Sequence, residues 1–234
     1  MSIGIDYMKT IVVSLGGSVL STEKGFNIGF AKKFAELLKS YRNTRFIVAT
    51  GGGYVNASYV NSLRDSVDVF SLDEMGMAIT KINALALKIV LEHSMDDVHP
   101  VVPDSLGEVR RAHASHRIVV MGGLLEGVTT DADAVIACEA AGSRTLINIS
   151  KIAFVYDRDP KEKGARKLER LTHDEMIDLA HKYDQRAPRT HFVFDLVASK
   201  LAKRSNITVY VTDADIANIK AIIDGKKSEG TVVR

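Results

Sequence analysis

Three apolar runs in this chain end in bare backbone: VVSLGGS (residues 12–18), FIVATGGG (46–53) and IVVMGG (118–123). Glycine in such a place does one of two things. It lets the chain make a tight turn that other residues resist, or it lets backbone N–H groups approach phosphate oxygens with no Cβ in the way. One glycine pair after a strand is more often a turn. Three of them favour a phosphorylated ligand, because strands that run parallel in one sheet gather their carboxyl ends at one edge, where ligands of open α/β sheets bind. A helix starting just behind adds its partial positive end.

These ends need elements to hold them. Short β-branched runs predict strands at 10–15, 45–50, 99–102, 117–121, 145–149, 152–156, 207–211 and 231–233. Between them, helical spacing predicts helices. Asn27 suits an N-cap for the first, whose apolar face is Phe30, Phe34, Leu37, Leu38 and Tyr41. Further helices are expected at 54–64, from Asp73 to His93, and at 105–113, 131–141, 173–182, 195–204 and 215–223. Continuous apolar strands alternating with helices imply a mostly parallel sheet covered on both faces. The polar stretches at 157–170 and 183–191 read as the mobile loops.

Composition narrows the function. The 234 residues carry 31 basic and 29 acidic side chains, a net charge of +2, which offers no electrostatic footprint for nucleic acid. Hydrophobic residues, at 46%, suffice for a full core. The lone Cys138, in DADAVIACEAAG, excludes an internal disulfide, suits a reducing cytoplasm and reads as buried core. The histidines do not cluster at metal-ligand spacing, and no metal site built from protein side chains is expected. The start, MSIGIDYMK, lacks a signal-peptide pattern, and no apolar run approaches the roughly 20 residues of a membrane span. A cytoplasmic protein with small-molecule ligands is the expectation.

Several phosphate-binding signatures are missing: GxxxxGK[ST], GxGxxG with its distant acid, and the HRD and DFG pair of protein kinases. What the chain does carry, in order, is Gly16-Gly17-Ser18, Gly51-Gly52-Gly53, DEMGMAITKINA (73–84), GGLLEGVTTDADA (122–134), YDRDP (156–160) and DLVASK (195–200). This series resembles the amino acid kinase superfamily and, within it, the archaeal-type uridylate (UMP) kinases, over nearly the whole chain. The resemblance implies one α/β/α sandwich domain over residues 1–234, with the acceptor towards its N-terminal half and ATP towards its C-terminal half. It also implies transfer of the γ-phosphate of ATP to UMP in pyrimidine nucleotide biosynthesis, Mg²⁺ as cofactor, and a homo-oligomer, a hexamer. By position, it places Ser14, Leu15, Gly16, Gly17, Ser18 and Gly53 at the ATP phosphates, and Ser150, Lys151, Tyr156 and Asp159 along the ATP nucleoside. Gly52, Asp73 and the stretch Leu124, Leu125, Glu126, Gly127, Val128, Thr129 and Thr130 would hold UMP.

The chemistry of these residues is compatible with that assignment. Asp73 suits a ribose, since a carboxylate accepts from two hydroxyls, or equally a helix N-cap. Thr129 and Thr130 precede Asp131 at a helix start, which suits a phosphate. Lys200 is the candidate cation for the migrating phosphoryl group, with Asp195 orienting it or the metal; a solvated surface lysine is the other reading of Lys200. The chain also departs from the family pattern. Ser14 stands where many members carry lysine, Ala57 where an arginine is usual, Glu126 where proline is usual, and Ala153-Phe154 where an Asp-Gly turn is usual. Phe154 either stacks on the donor base or fills its pocket, and Arg186 and Arg189 are expected to replace the missing charge. Two alternatives remain: the same fold acting on another small acceptor such as a carboxylate, or a non-catalytic nucleotide-binding or storage member.

Overall fold

The computed structural model describes residues 8–183 and 193–234, so Arg186, Arg189 and most of the second predicted loop lie outside the described residues. Strand β1 (Lys9–Leu15) runs into a one-turn helix α1 (Gly17–Leu20), a small hairpin of β2 (Ser21–Thr22) and β3 (Gly25–Phe26), and α2 (Ile28–Lys39). β4 (Thr44–Thr50) leads to α3 (Gly53–Leu63) and the long α4 (Val69–Glu92), and α5 (Leu106–Ser115) precedes β5 (Ile118–Met121). Then come α6 (Thr130–Ala141), β6 (Thr145–Ile149), β7 (Val155–Tyr156), β8 (Lys167–Leu168), β9 (Arg170–Leu171) and α7 (His173–Tyr183). α8 (Leu196–Arg204), β10 (Thr208–Thr212), α9 (Ile216–Ile223) and β11 (Thr231–Val233) complete the order.

Seven strands form the central sheet in the order β5-β4-β1-β6-β10-β11-β9. The first five are parallel neighbours, and β11 joins antiparallel. Period-two alternation sorts the strand residues between two cores. Ile11, Val13, Leu15, Phe46, Val48, Ile147 and Ile149 face a layer built from α2, α4 and α9. Val12, Ile47, Ala49, Leu146, Val209 and Val211 face α5, α6, α7 and α8. The result is the expected three-layer α/β/α sandwich. Because strands such as β1 are buried on both sides, they read as unbroken apolar runs.

Register brings the glycines together. Leu15 lies opposite Thr50 on one side and Ile149 on the other, and Ile149 lies opposite Thr212. The loops that follow these residues, and the one after Met121, therefore leave the sheet along one edge.

Local capping explains most boundaries. Asn27 Oδ1 accepts from Phe30 N at 3.2 Å, as predicted. Gly142, at φ +66°, ends α6 in the left-handed region. Three expectations need correction. The long helix begins at Val69, four residues before Asp73, because Asp68 is the N-cap and accepts from Ser71 N at 3.0 Å. Residues 99–102 form no strand: Val98 alone bridges to Ile118, and Pro100 has no N–H to continue a ladder. Of the predicted strand at 152–156, only Val155 and Tyr156 pair, and they do so with Leu168 and Lys167 in a separate two-stranded sheet.

Candidate active site

The first two glycine loops lock into each other. A Cβ on Gly17 would overlap the backbone of Gly51 and Gly53, and one on Gly51 would stand 2.6 Å from Gly17 N. Gly53 also sits at φ +64°, which favours glycine. Gly16 donates to Ile149 O at 2.8 Å, and a Cβ there would press on that same oxygen. These glycines are bare first because backbone meets backbone. The amides of Gly17 and Ser18 have no acceptor among the described residues and stay free for an anion.

α4 supports this junction. Asn83 Nδ2 donates to Gly51 O at 2.8 Å and to Gly52 O at 3.1 Å, and Thr50 Oγ1 donates to Thr80 O at 3.0 Å. Asn83 and Thr80 are buried polar residues beside Ile79, Ala84 and Leu87, and a buried side chain of that kind is a hydrogen-bonding tie to something. Gly52, buried at the start of α3, packs on Asn56. Asp73 lies half-buried within α4 and has no partner among the described residues, so its N-cap alternative falls to Asp68 and its carboxylate is open to a ligand.

A polar network forms where β1, β6, α6 and α8 meet. Ser14 Oγ donates to Asp131 Oδ1 at 2.6 Å, and Asn148 Nδ2 donates to the same oxygen at 2.7 Å. Asp195 caps α8, accepting from Val197 N (2.8 Å) and Ala198 N (3.0 Å), and Thr129 Oγ1 donates to its other oxygen. Burial pushes the Asp131 carboxyl up to about 7, and the charge of Asp195 adds to the rise while Ser14 and Asn148 work against it. Ser14 thus supplies a hydroxyl to Asp131 where a lysine would supply a charge, and neither Asp131 nor Asp195 has an ion pair with a cation among the described side chains.

The 122–130 segment is anchored at both ends. Gly123 N donates to Thr80 Oγ1 at 2.7 Å, and Leu124 N donates to Asp133 Oδ2 at 2.9 Å. Burial holds the Asp133 carboxyl up at about 6, against the pull of the Leu124 and Leu125 amides. Leu124 and Val128 pack on the second core, whereas Leu125, Glu126 and Gly127 are exposed, Gly127 at φ +76°. Glu126 therefore stands in solvent at the tip of the loop. Thr129 is the N-cap of α6, accepting from Ala132 N at 3.2 Å, which leaves the amides of Thr130 and Asp131 open at the helix start.

The predicted donor-nucleoside residues lie apart from this network. Ser150 N donates to Thr212 O at 2.9 Å, and its hydroxyl donates to Ile152 O at 2.9 Å, closing a small turn. Lys151 and Asp159 are exposed, and Asp159 accepts from Lys161 N at 2.8 Å. Tyr156 is half-buried in β7. Phe154 is only 9% exposed, with the Lys167 ammonium 4.5 Å from its ring centroid, so it fills space and does not offer a free face. Lys200 is exposed on the body of α8 and has no hydrogen bond or ion pair among the described residues. Thr80, Asn83, Asp131 and Asp133 lie inside the 73–84 and 122–134 motifs with no role in ligand binding read for them there, and Asn148 lies outside every motif. Their signal was polarity at buried helical and strand positions.

Among the described residues no cluster of three or more His, Cys, Asp or Glu side chains is placed to hold a metal, and no helix is long and apolar enough to cross a membrane. A uridylate kinase of Thermoplasma volcanium is 37% identical over 227 residues, covering 96% of this chain and 97% of that protein. One from Thermoplasma acidophilum is 35% identical, covering 96% of each. The crystal structure of uridylate kinase from Archaeoglobus fulgidus superposes with a TM-score of 0.83 at 31% identity, covering 96% of this chain and 99% of that one. The sequence model of the amino acid kinase family matches residues 9–213, and with these relatives it makes the chain a member of that family.

Proposed function

We propose that this chain is a nucleoside monophosphate kinase that moves the γ-phosphoryl group of ATP to UMP, giving UDP and ADP. The observation that carries the reading is the alignment of three glycine-bearing strand ends beside the Asp131–Asp195 network and the open start of α6. Relatives that bear the uridylate kinase name across their full length support UMP as acceptor.

In this reading the free amides of Gly17 and Ser18, with Gly53, cradle the ATP phosphates, and Ser150, Lys151, Tyr156 and Asp159 line the donor nucleoside. Asp73 accepts from the UMP ribose. Thr130 and the amides at the start of α6 take the UMP phosphate, whose ionised oxygen attacks in line and needs no base. Anionic phosphates beside two carboxylates repel unless a cation intervenes. Mg²⁺ fits that need: Asp131 Oδ2 accepts no hydrogen bond among the described residues and is an oxygen of the hard type this ion takes, so Asp131, with Asp195 beside it, would hold the ion. When bound, the ion neutralises charge building on the transferred group. Lys200 supplies a second cation from α8, its stem leaning towards the helix start as helical side chains do. The chain works as one domain in the cytoplasm and assembles as a homo-oligomer, a hexamer.

The burial of Phe154 favours one competing reading, a member that binds nucleotide without turnover. ADP release from ATP and Mg²⁺, with UMP, CMP and no acceptor in parallel, decides between them. Stimulation by UMP alone is the expected result. UMP binding without ADP release would replace the kinase with the binding module.

A further inference from the structure

The loop after β5 passes between the two helical layers, and its successive amides are taken up by side chains from opposite faces of the sheet. From α4, Thr80 Oγ1 accepts the Gly123 N–H at 2.7 Å and gives its own proton to Met77 O at 2.6 Å, so the hydroxyl is fixed in one orientation. From α6, Asp133 Oδ2 accepts the Leu124 N–H at 2.9 Å. Gly123 is boxed between the same helices: a Cβ there would stand 3.3 Å from Met77 Cγ, 3.4 Å from Thr80 Oγ1 and 3.7 Å from Asp133 Oδ2.

Stability does not account for Asp133. It is 1% exposed, and its Oδ1 is buried with no hydrogen-bond partner among the described residues. A buried carboxylate with one unpaired oxygen is costly, and an apolar residue of similar size avoids that cost. What the carboxylate provides is a fixed backbone at Leu124, where the exposed loop begins.

We propose that Thr80 and Asp133 are positioning residues for the acceptor nucleotide: they clamp Gly123 and Leu124 from the two layers and set acceptor affinity through the 124–130 loop without touching the ligand. This rests on the reading of that loop as the UMP site. Both side chains are buried beneath the loop, so their effect on affinity runs through its backbone.

The test compares Asp133→Ala and Thr80→Val, which remove the acceptors, with Asp133→Asn and Thr80→Ser, which keep them. In the full chain, KM for UMP, KM for ATP, kcat and hydrogen exchange at Gly123 and Leu124 are measured. The removing variants are expected to raise KM for UMP about tenfold with kcat and KM for ATP within about twofold, and to speed exchange at the clamped amide about tenfold. The conservative variants should stay within about threefold of the native KM. An unchanged KM for UMP in both removing variants overturns the proposal. So does an equal rise in both KM values that Asn and Ser fail to rescue, since that is general loosening. If the native chain does not act on UMP, the functional reading fails by itself, and exchange alone then judges the clamp: faster exchange upholds it and unchanged exchange overturns it.

Discussion

The proposed acceptor edge and the proposed donor edge of this site are built by different means. On the acceptor side, the backbone of residues 51–52 and 123–124 is held by buried side chains: Asn83, Thr80 and Asp133. On the donor side, the buried Thr231 hydroxyl accepts from Val155 N at 2.8 Å and donates to Leu168 O, but the stretch between them, 156–167, hangs on the pairing of Tyr156 with Lys167, on a backbone bond from Asp157 N to Arg166 O, and on ion pairs of Asp157 with Arg166 (3.0 Å) and Arg158 (3.4 Å), whose arginines are exposed. Hydrogen bonds shielded from water hold geometry against a large penalty for breaking them, whereas exposed ion pairs contribute little and are screened by salt. The proposed acceptor surface is thus preformed, and the proposed donor surface is softer between residues 156 and 167.

The largest break in this contrast should come from Gly17→Ala, because the junction from which both edges depart has no room for a methyl group. A loss of about 4 kcal/mol or more is expected, read as a fall in Tm or as insoluble protein. Gly127→Ala is the control: it keeps the positive-φ strain at a place where an added Cβ meets no described residue within 4 Å, and it should cost about 1 kcal/mol. Next in size, Asp131→Asn should lower kcat about a hundredfold while leaving Tm near its native value, checked by steady-state assay and thermal melt.

The pH dependence sharpens the contrast on the acceptor side. Asp133 is raised from 3.8 to about 6, so its favourable contribution to stability is full below about pH 4 and is lost as pH rises through 6. By that linkage the loss is about 2–3 kcal/mol in protein free of nucleotide and metal. Asp133→Asn should flatten the decline of Tm between pH 4 and pH 7, and an unchanged slope would count against a buried ionised carboxyl. Smaller still, Arg166→Ala should raise KM for ATP a few-fold at low salt, with the gap closing at about 0.5 M salt as screening removes the native ion pair, and should leave KM for UMP unmoved. Finally, Cys138 is fully buried and its thiol is held well above its ordinary range by desolvation, so the native chain should not react with iodoacetamide until it unfolds.

The sheet was legible because β1, β4, β5 and β6 are strings of β-branched and apolar residues cut short by glycine or serine, a pattern that needs no partner to be read. The start of α4 was not. Asp68 and Asp73 are both acidic residues ahead of apolar periodicity, and only the bond from Ser71 N chooses the first. Strands of two residues, β2, β3, β7, β8 and β9, carry too few side chains for any period to show. In the site, the glycines and Thr129 were visible from spacing, whereas the roles of Thr80, Asn83 and Asp133 depend on which loop each helix meets, a tertiary fact. Their polarity amid Ile79, Ala84, Leu87 and Val135 marked them as tied to something, and the sequence does not name the partner.

The interlocked glycine loops also bear on how such a chain can vary. Gly17 on one side and Gly51 and Gly53 on the other occupy one another's side-chain space although they are more than thirty residues apart in the chain. Neither loop can acquire a side chain while the other keeps its place, so the two must drift together or not at all. A chimaera joined between residues 18 and 51 would inherit its two loops from different parents, and it would fold only where both parents had kept the same bare backbone.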